Sequence, residues 1–236
     1  MEEETSVAAS ARGLKAGTTL RTAAIMLNIS DSAVFSALHF WHEFGRLRTS
    51  ADAGPARAEE ALLAACLLLA SKVEEEPRRI RDVINCVQFA FNGEKLHNPH
   101  RYWEKKERVL LLEQQLLRAL AFDTAVEQPL FYLLHYLSAA GASPAWCELS
   151  VCLANDCCAS ADCALRPARL VAAAALGTAA ALLGKELPPQ WHAVLGVEFG
   201  SLQEVSKAML EVYTHTAHKT HNVSVSAETS EIKSSS

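Results

Sequence analysis

The chain has 236 residues, 50% of them hydrophobic, 21% charged and 7% aromatic, which is enough apolar surface for one large or two small buried cores and excludes wholesale disorder. Ten Gly and eight Pro in a chain dominated by Ala and Leu argue for an all-α protein and against sandwiches, barrels and collagen-like repeats. The formal charge of -5 removes the broad positive field that general nucleic-acid binding relies on, so no direct nucleic-acid contact is expected.

From the N-terminus, the opening MEEETS is acidic and polar rather than charged-then-apolar like a secretory signal, and the seven cysteines are an odd number. Reduced thiols of cytosol or nucleus are the expectation. Helix-spaced apolar residues then run over Leu20–Leu27 and Val34–Phe44, with Asn28-Ile29-Ser30-Asp31 between them supplying a stop and an N-cap. After the loop Thr49–Pro55, Ala58–Val73 is apolar on nearly every face and predicts a central helix. Pro77 breaks the chain, and Arg78–Phe91 restarts as an amphipathic helix ended by Asn92-Gly93. Tyr102–Leu120 begins charged and finishes Leu-rich, so it enters from solvent and ends against the core.

A second set of helical patterns covers Phe131–Leu137, Ala145–Cys157, Ala168–Leu183, Gln190–Val197 and Leu202–Thr214, punctuated by Pro129, Pro144, Pro167 and Pro188. Pro55-Ala56-Arg57 leads a run ending Ala70-Ser71-Lys72, and Pro167-Ala168-Arg169 leads one ending Leu183-Gly184-Lys185. That echo suggests two copies of one five-helix unit. The longest nearly uncharged run, Leu170–Gly184, is shorter than the ~20 residues a bilayer span needs, so no membrane partner is expected. The tail after Lys219 is rich in Ser, Thr and Glu and is expected to be disordered.

Nucleotide-loop, nucleophile-elbow and zinc-protease motifs are missing from the sequence. His39 and His42, three residues apart beside Glu43, have a spacing that suits a metal, but Phe40, Trp41 and Phe44 around them favour a packed helix face. Cys147, Cys152, Cys157, Cys158 and Cys163 cluster without a CxxC and among apolar neighbours, which favours core packing over zinc. His215, His218 and His221 form an HxxHxxH read as a solvated helix end, and the sequons at Asn28 and Asn222 are inert without a secretory route. No metal or cofactor is expected. The segment Lys72-Val73-Glu74-Glu75-Glu76-Pro77-Arg78-Arg79 differs in kind. A lysine at a helix C-terminus suits the dipole, but three glutamates there oppose it, so something other than helix stability selects them.

The stretch CLLLASKVEEEPRRIRDVIN resembles the third and fourth helices of a cyclin box, and RYWEKKERVLLLEQQLLRALAFD is similar to its fifth helix. VEQPLFYLLHYL looks like the segment between boxes, and the second half resembles the second box of the transcription-associated cyclins of the K, L, T and Q group; FNGEKL followed by RYWE is most similar to the Q branch. The resemblance runs from about Leu20 to Tyr213 and implies two tandem five-helix boxes. It divides the chain into an N-terminal arm (1–18), a kinase-binding first box (19–124), a second box (125–218) and a tail (219–236).

The family implies a regulatory subunit rather than an enzyme, one that binds and activates a cyclin-dependent protein kinase and resides in the nucleus. By motif position Lys72 and Glu113 correspond to the pair that clamps the kinase's αC region. Val73, Leu117 and Phe122 correspond to the apolar positions around them, and Glu75 to an acid that receives an arginine from the activation segment. The first predicted helix has Leu20-Arg21-Thr22-Ala23-Ala24-Ile25 in place of the cell-cycle cyclins' Met-Arg-Ala-Ile-Leu, which puts their type of substrate-docking patch in doubt. Two alternatives stand beside this reading: an adaptor of the transcription machinery resembling the repeats of transcription factor IIB, disfavoured by the acidic charge, and a pseudocyclin that activates no kinase.

Overall fold

The computed structural model describes residues 2–47, 56–96 and 98–213. Its elements there are α1 (Glu2–Leu27), α2 (Asp31–Leu47), α3 (Ala56–Val73), α4 (Ile80–Asn92), α5 (Pro99–Ala119), α6 (Pro129–Ala139), α7 (Pro144–Cys157), α8 (Ala161–Ala164), α9 (Ala168–Leu182), α10 (Trp191–Val194) and α11 (199–213). No strand occurs among the described residues, and no helix there is long and apolar enough to cross a membrane.

Local chemistry sets the ends of these helices. Pro99, Pro129 and Pro144 occupy first-turn positions, where a missing N–H costs nothing. Asn98 accepts from the His100 N–H at 2.9 Å, and Ser30 Oγ accepts from the Ala33 N–H at 3.4 Å. Gly93 closes α4 at φ 74°, its N–H donating to the Phe89 carbonyl. The predicted Gln190–Val197 helix shrinks to the single turn α10, and the short α8 is an element that periodicity did not reveal.

α3 is the axis of the first half. It packs on α2, α4 and α5, and Leu63, Ala65, Cys66, Leu67 and Ala70 are wholly buried. α9 holds the same place in the second half, packed on α6 and α7 with Ala172 to Ala175 wholly buried. Alanine lets neighbouring backbones approach closely, and a Cβ on Gly177 would lie 2.8 Å from the Trp191 ring. The two helices that share the Pro-Ala-Arg echo are thus the two central helices.

The largest departure is α1, which is helical from Glu2 instead of beginning near Leu20 after an arm. Gly13 and Gly17 argue against a helix on propensity. Their role is tertiary, because a Cβ on Gly13 would sit 2.0 Å from the Ala159 carbonyl oxygen. Gly13, Ala16, Gly17, Leu20, Ala23 and Ala24 form one buried stripe.

The two halves are tied at this same place. The His42 Nε2–H donates to the Cys158 carbonyl at 3.1 Å, and the His39 Nδ1–H to the Ala164 carbonyl at 2.9 Å; carbonyls only accept, which assigns both tautomers. Arg21 donates to the Asn155 carbonyl and pairs with Asp156 at 3.0 Å. The Tyr213 hydroxyl donates to the other Asp156 oxygen at 2.9 Å.

Candidate functional site

α3 ends in a turn whose backbone reverses through Glu75, a non-glycine residue at φ 58°. The Glu76 N–H donates to the Ser71 carbonyl at 2.8 Å and the Glu74 N–H to Ala70 at 2.9 Å, a Schellman-type closure with glutamate where glycine is the unstrained choice. The three glutamates divide by partner. Glu74 accepts from the Ser36 hydroxyl at 2.7 Å and the Gln128 amide at 3.2 Å, and Glu76 accepts from the Ser30 N–H at 3.0 Å. Both carboxylates therefore lie at the start or first turns of α2, where helix N-termini favour negative charge. Arg78 satisfies the far end of α1, donating to the Leu27 carbonyl at 2.9 Å and to the Asn28 carbonyl. Only Glu75 is left exposed.

From the last turn of α3, Lys72 Nζ donates to Glu113 Oε1 of α5 at 2.5 Å. The lysine side chain is 50% exposed and the glutamate side chain 10%. The pair thus sits at a boundary, with one ammonium face toward solvent and the carboxylate in the groove between α3 and α5. Val73 is half-buried beside it. One helical turn past Glu113 is Leu117, half-buried, whose carbonyl accepts from the Phe122 N–H at 2.9 Å. Ala121 and Phe122 adopt φ 50° and 62°, and this left-handed turn leaves the Phe122 side chain 70% exposed. Holding an aromatic ring in water on a strained backbone has a cost that the isolated chain does not recover.

The structure accordingly brings Lys72 and Glu113 into direct contact and places Val73, Glu75, Leu117 and Phe122 at the C-terminal ends of α3 and α5. Leu110, one turn before Glu113 and 38% exposed, belongs to the same stripe and was missed by motif matching, although its spacing was a usable signal.

The other candidates resolve into packing. Beyond the junction bonds of His39 and His42, Glu43 pairs with Arg46 at 3.0 Å, and burial lowers the His42 pKa to about 4. Cys157, Cys158 and Cys163 are buried together. Thiol hydrogen bonds with Cys158 and Cys163, and then burial, push the Cys157 thiol well up, so it stays protonated. Among the described residues no three His, Cys, Asp or Glu are placed to hold a metal ion. His215, His218, His221 and the Asn222 sequon lie outside the described residues.

A cavity of about 510 Å³ opens between α3, α4 and α5, lined by Glu60, Gln88, Phe91 and Arg101 among others. Its polar floor is closed on itself: Lys105 donates to Glu60 and to Gln88 at 2.8 Å, and Asn92 donates to Glu60 at 2.8 Å.

No family model matches the chain. It is similar to cyclin-L1 of Xenopus laevis, 26% identical over 210 residues that make up 83% of this chain and 40% of that protein. An uncharacterized cyclin-L1-like protein of Schizosaccharomyces pombe is 24% identical over 220 residues, 85% of this chain and 83% of the relative. A solved structure described as the yeast RNA Pol II CTD kinase CTDK-1 complex holds a chain of the same fold, with a TM-score of 0.76, 18% identity, and coverage of 86% of this chain and 66% of that one. The chain therefore spans about 40% of the length of the frog cyclin and just under two thirds of the matched structural chain. With both halves built around an axial helix, the chain is similar in sequence to cyclin-L1 and a cyclin-L1-like protein over more than four fifths of its length, and over 86% of it shares the fold of a chain in the CTDK-1 complex.

Proposed function

We propose that this chain is the regulatory subunit of a cyclin-dependent serine/threonine protein kinase of the transcription-associated group, acting in the nucleus. It contributes no catalytic group. Its first box, 19–124, binds the kinase and holds the αC helix and activation segment in the active arrangement, while the second box, 125–218, braces the first through the His39 and His42 junction.

The observation that carries this is the Lys72–Glu113 pair, half-exposed on one side and backed by Val73, Leu117 and an outward Phe122. An ammonium with unused protons donates to carbonyls at the end of a partner helix, and a fixed carboxylate accepts from backbone or side-chain donors. Apolar residues around such a pair give the desolvated centre in which these bonds are strong. A kinase is competent only when its β3 lysine pairs with the αC glutamate, so a partner that holds αC inward assembles the site without chemistry of its own. Glu75, exposed at the tip of its turn and with no side-chain hydrogen bond or ion pair among the described residues, is the acid offered to an activation-segment arginine.

The test is affinity purification of the wild-type chain beside the double variant Lys72→Glu, Glu113→Lys, with kinase assay and mass identification of partners. The swap keeps an ion pair inside the chain but reverses what each member offers a partner. Recovery of an active cyclin-dependent kinase by wild type and its loss in a helical, monodisperse variant is the expected result. Equal recovery, or none by wild type, overturns the reading.

A further inference from the structure

We infer that Trp103, with Lys106 over its ring, anchors an extension of the kinase-binding face along α5 and fits a kinase segment that presents an apolar side chain beside a carboxylate. This rests on the kinase reading above. Trp103, Lys106, Leu110, Glu113 and Leu117 recur at intervals of three and four. At 3.6 residues per turn they fall within a sector of about 80°, and Trp103 lies about 15 Å along the axis from Glu113. The helix buries Val109, Leu112 and Leu116 on an adjoining side, with Glu113 buried at the boundary between them and the stripe, so the stripe runs along one flank of α5. The polar cavity, lined by Arg101, Lys105 and Arg108, lies on the opposite flank.

Trp103 is 57% exposed yet not loose. The Lys106 ammonium lies 4.8 Å from its ring centre, and the Tyr102 ring meets it edge-on at 5.5 Å. A large aromatic held in place in solvent already bears little of the ordering cost of binding, which is the property of an interface anchor. No acidic partner of Lys106 occurs among the described residues, leaving its charge available to a partner carboxylate. Continuity with the Lys72–Glu113 centre assigns the patch to the same partner.

The experiment measures dissociation constants against a panel of purified cyclin-dependent kinases for wild type, Trp103→Ala, Lys106→Glu, the Lys72→Glu, Glu113→Lys swap, and Leu111→Ala. Leu111 is 51% exposed but outside the sector. The expected result is a tenfold or greater loss for Trp103→Ala at unchanged melting temperature, a salt-sensitive loss of threefold or more for Lys106→Glu, and less than a twofold change for Leu111→Ala. Should Trp103→Ala lower the melting temperature, Lys106→Glu decides. If wild type binds a kinase, the swap abolishes binding, and both Trp103→Ala and Lys106→Glu stay within threefold, the extension alone is wrong. If wild type binds no kinase, the underlying reading falls and this inference with it.

Discussion

Lys72 and Glu113, 41 positions apart, share one short hydrogen bond but occupy unequal environments, the lysine side chain half in solvent and the glutamate side chain nearly enclosed. Removing either member therefore has different consequences. Lys72→Ala strands a buried carboxylate and is expected to destabilise the fold by about 1–3 kcal/mol. Glu113→Ala frees an ammonium that turns to water and is expected to cost less than about 1 kcal/mol. Urea denaturation measures both, and both variants are expected to lose kinase binding. Equal destabilisation would show that the pair is solvated throughout.

The α3 turn offers a sharper separation of fold from function. Glu74→Ala removes the acceptor shared by Ser36 and Gln128 and is expected to cost about 1–3 kcal/mol. Glu75→Gly, by relieving the left-handed backbone at φ 58°, is expected to stabilise the chain by roughly 0.5–1 kcal/mol. The same change is expected to lower kinase activation, since it deletes the exposed carboxylate. Thermal melts beside kinase assays test this, and a variant that is more stable and equally activating would remove Glu75 from the interface.

Two helical glycines should respond in opposite senses to alanine. At Gly13 the added Cβ meets the Ala159 carbonyl, so the α1 contact with the α7–α8 turn must open, at an expected cost above about 2 kcal/mol. At Gly45 nothing lies within 4 Å, and Gly45→Ala is expected to stabilise α2 by about 0.5–1 kcal/mol. Melting temperatures moving in the same direction would contradict the packing of α1.

The halves should loosen with acid. Burial holds His42 neutral in the folded chain, its pKa lowered from 6.5 to about 4. Between those values the unfolded chain binds the extra proton and the folded chain does not, so stability is full above about pH 6.5, falls as pH drops, and levels off below about pH 4. The full effect is of order 3 kcal/mol. Unfolding free energies at pH 7.5, 6 and 5 for wild type and His42→Gln test it, with a shallower pH slope expected in the variant. Parallel slopes would place the acid sensitivity at groups other than His42.

Much of this was legible before any coordinates. The 3.6-residue periodicity placed the central helix at Ala58–Val73 and the second-half helices behind their prolines, because helix ends and buried faces are dictated by neighbours a few residues away. The Lys72-to-Arg79 segment stood out for the same reason, its charges conflicting with the helix dipole that the local sequence creates. Motif position singled out Lys72, Glu113 and Phe122 as candidate site residues, but nothing local says that the first two bond to each other or that the third faces water.

What only the tertiary structure decided depends on contacts between distant segments. Glycine lowers helix propensity at 13 and 17, and only the approach of Ala159 makes the absence of a side chain there a requirement. The neighbours of His39 and His42 in sequence favour a packed helix face over a metal site, but only the structure shows that the Ala164 and Cys158 carbonyls, more than 100 positions away, accept from them. Glu74, Glu75 and Glu76 share one charge and one helix end in sequence, and only the approach of α2 and Gln128 turns Glu74 and Glu76 into fastenings and leaves Glu75 exposed. Composition and periodicity determine which helices form and which faces they bury; which polar groups are used up inside the fold, and which remain for a partner, is determined by the burial and hydrogen bonding that packing alone creates.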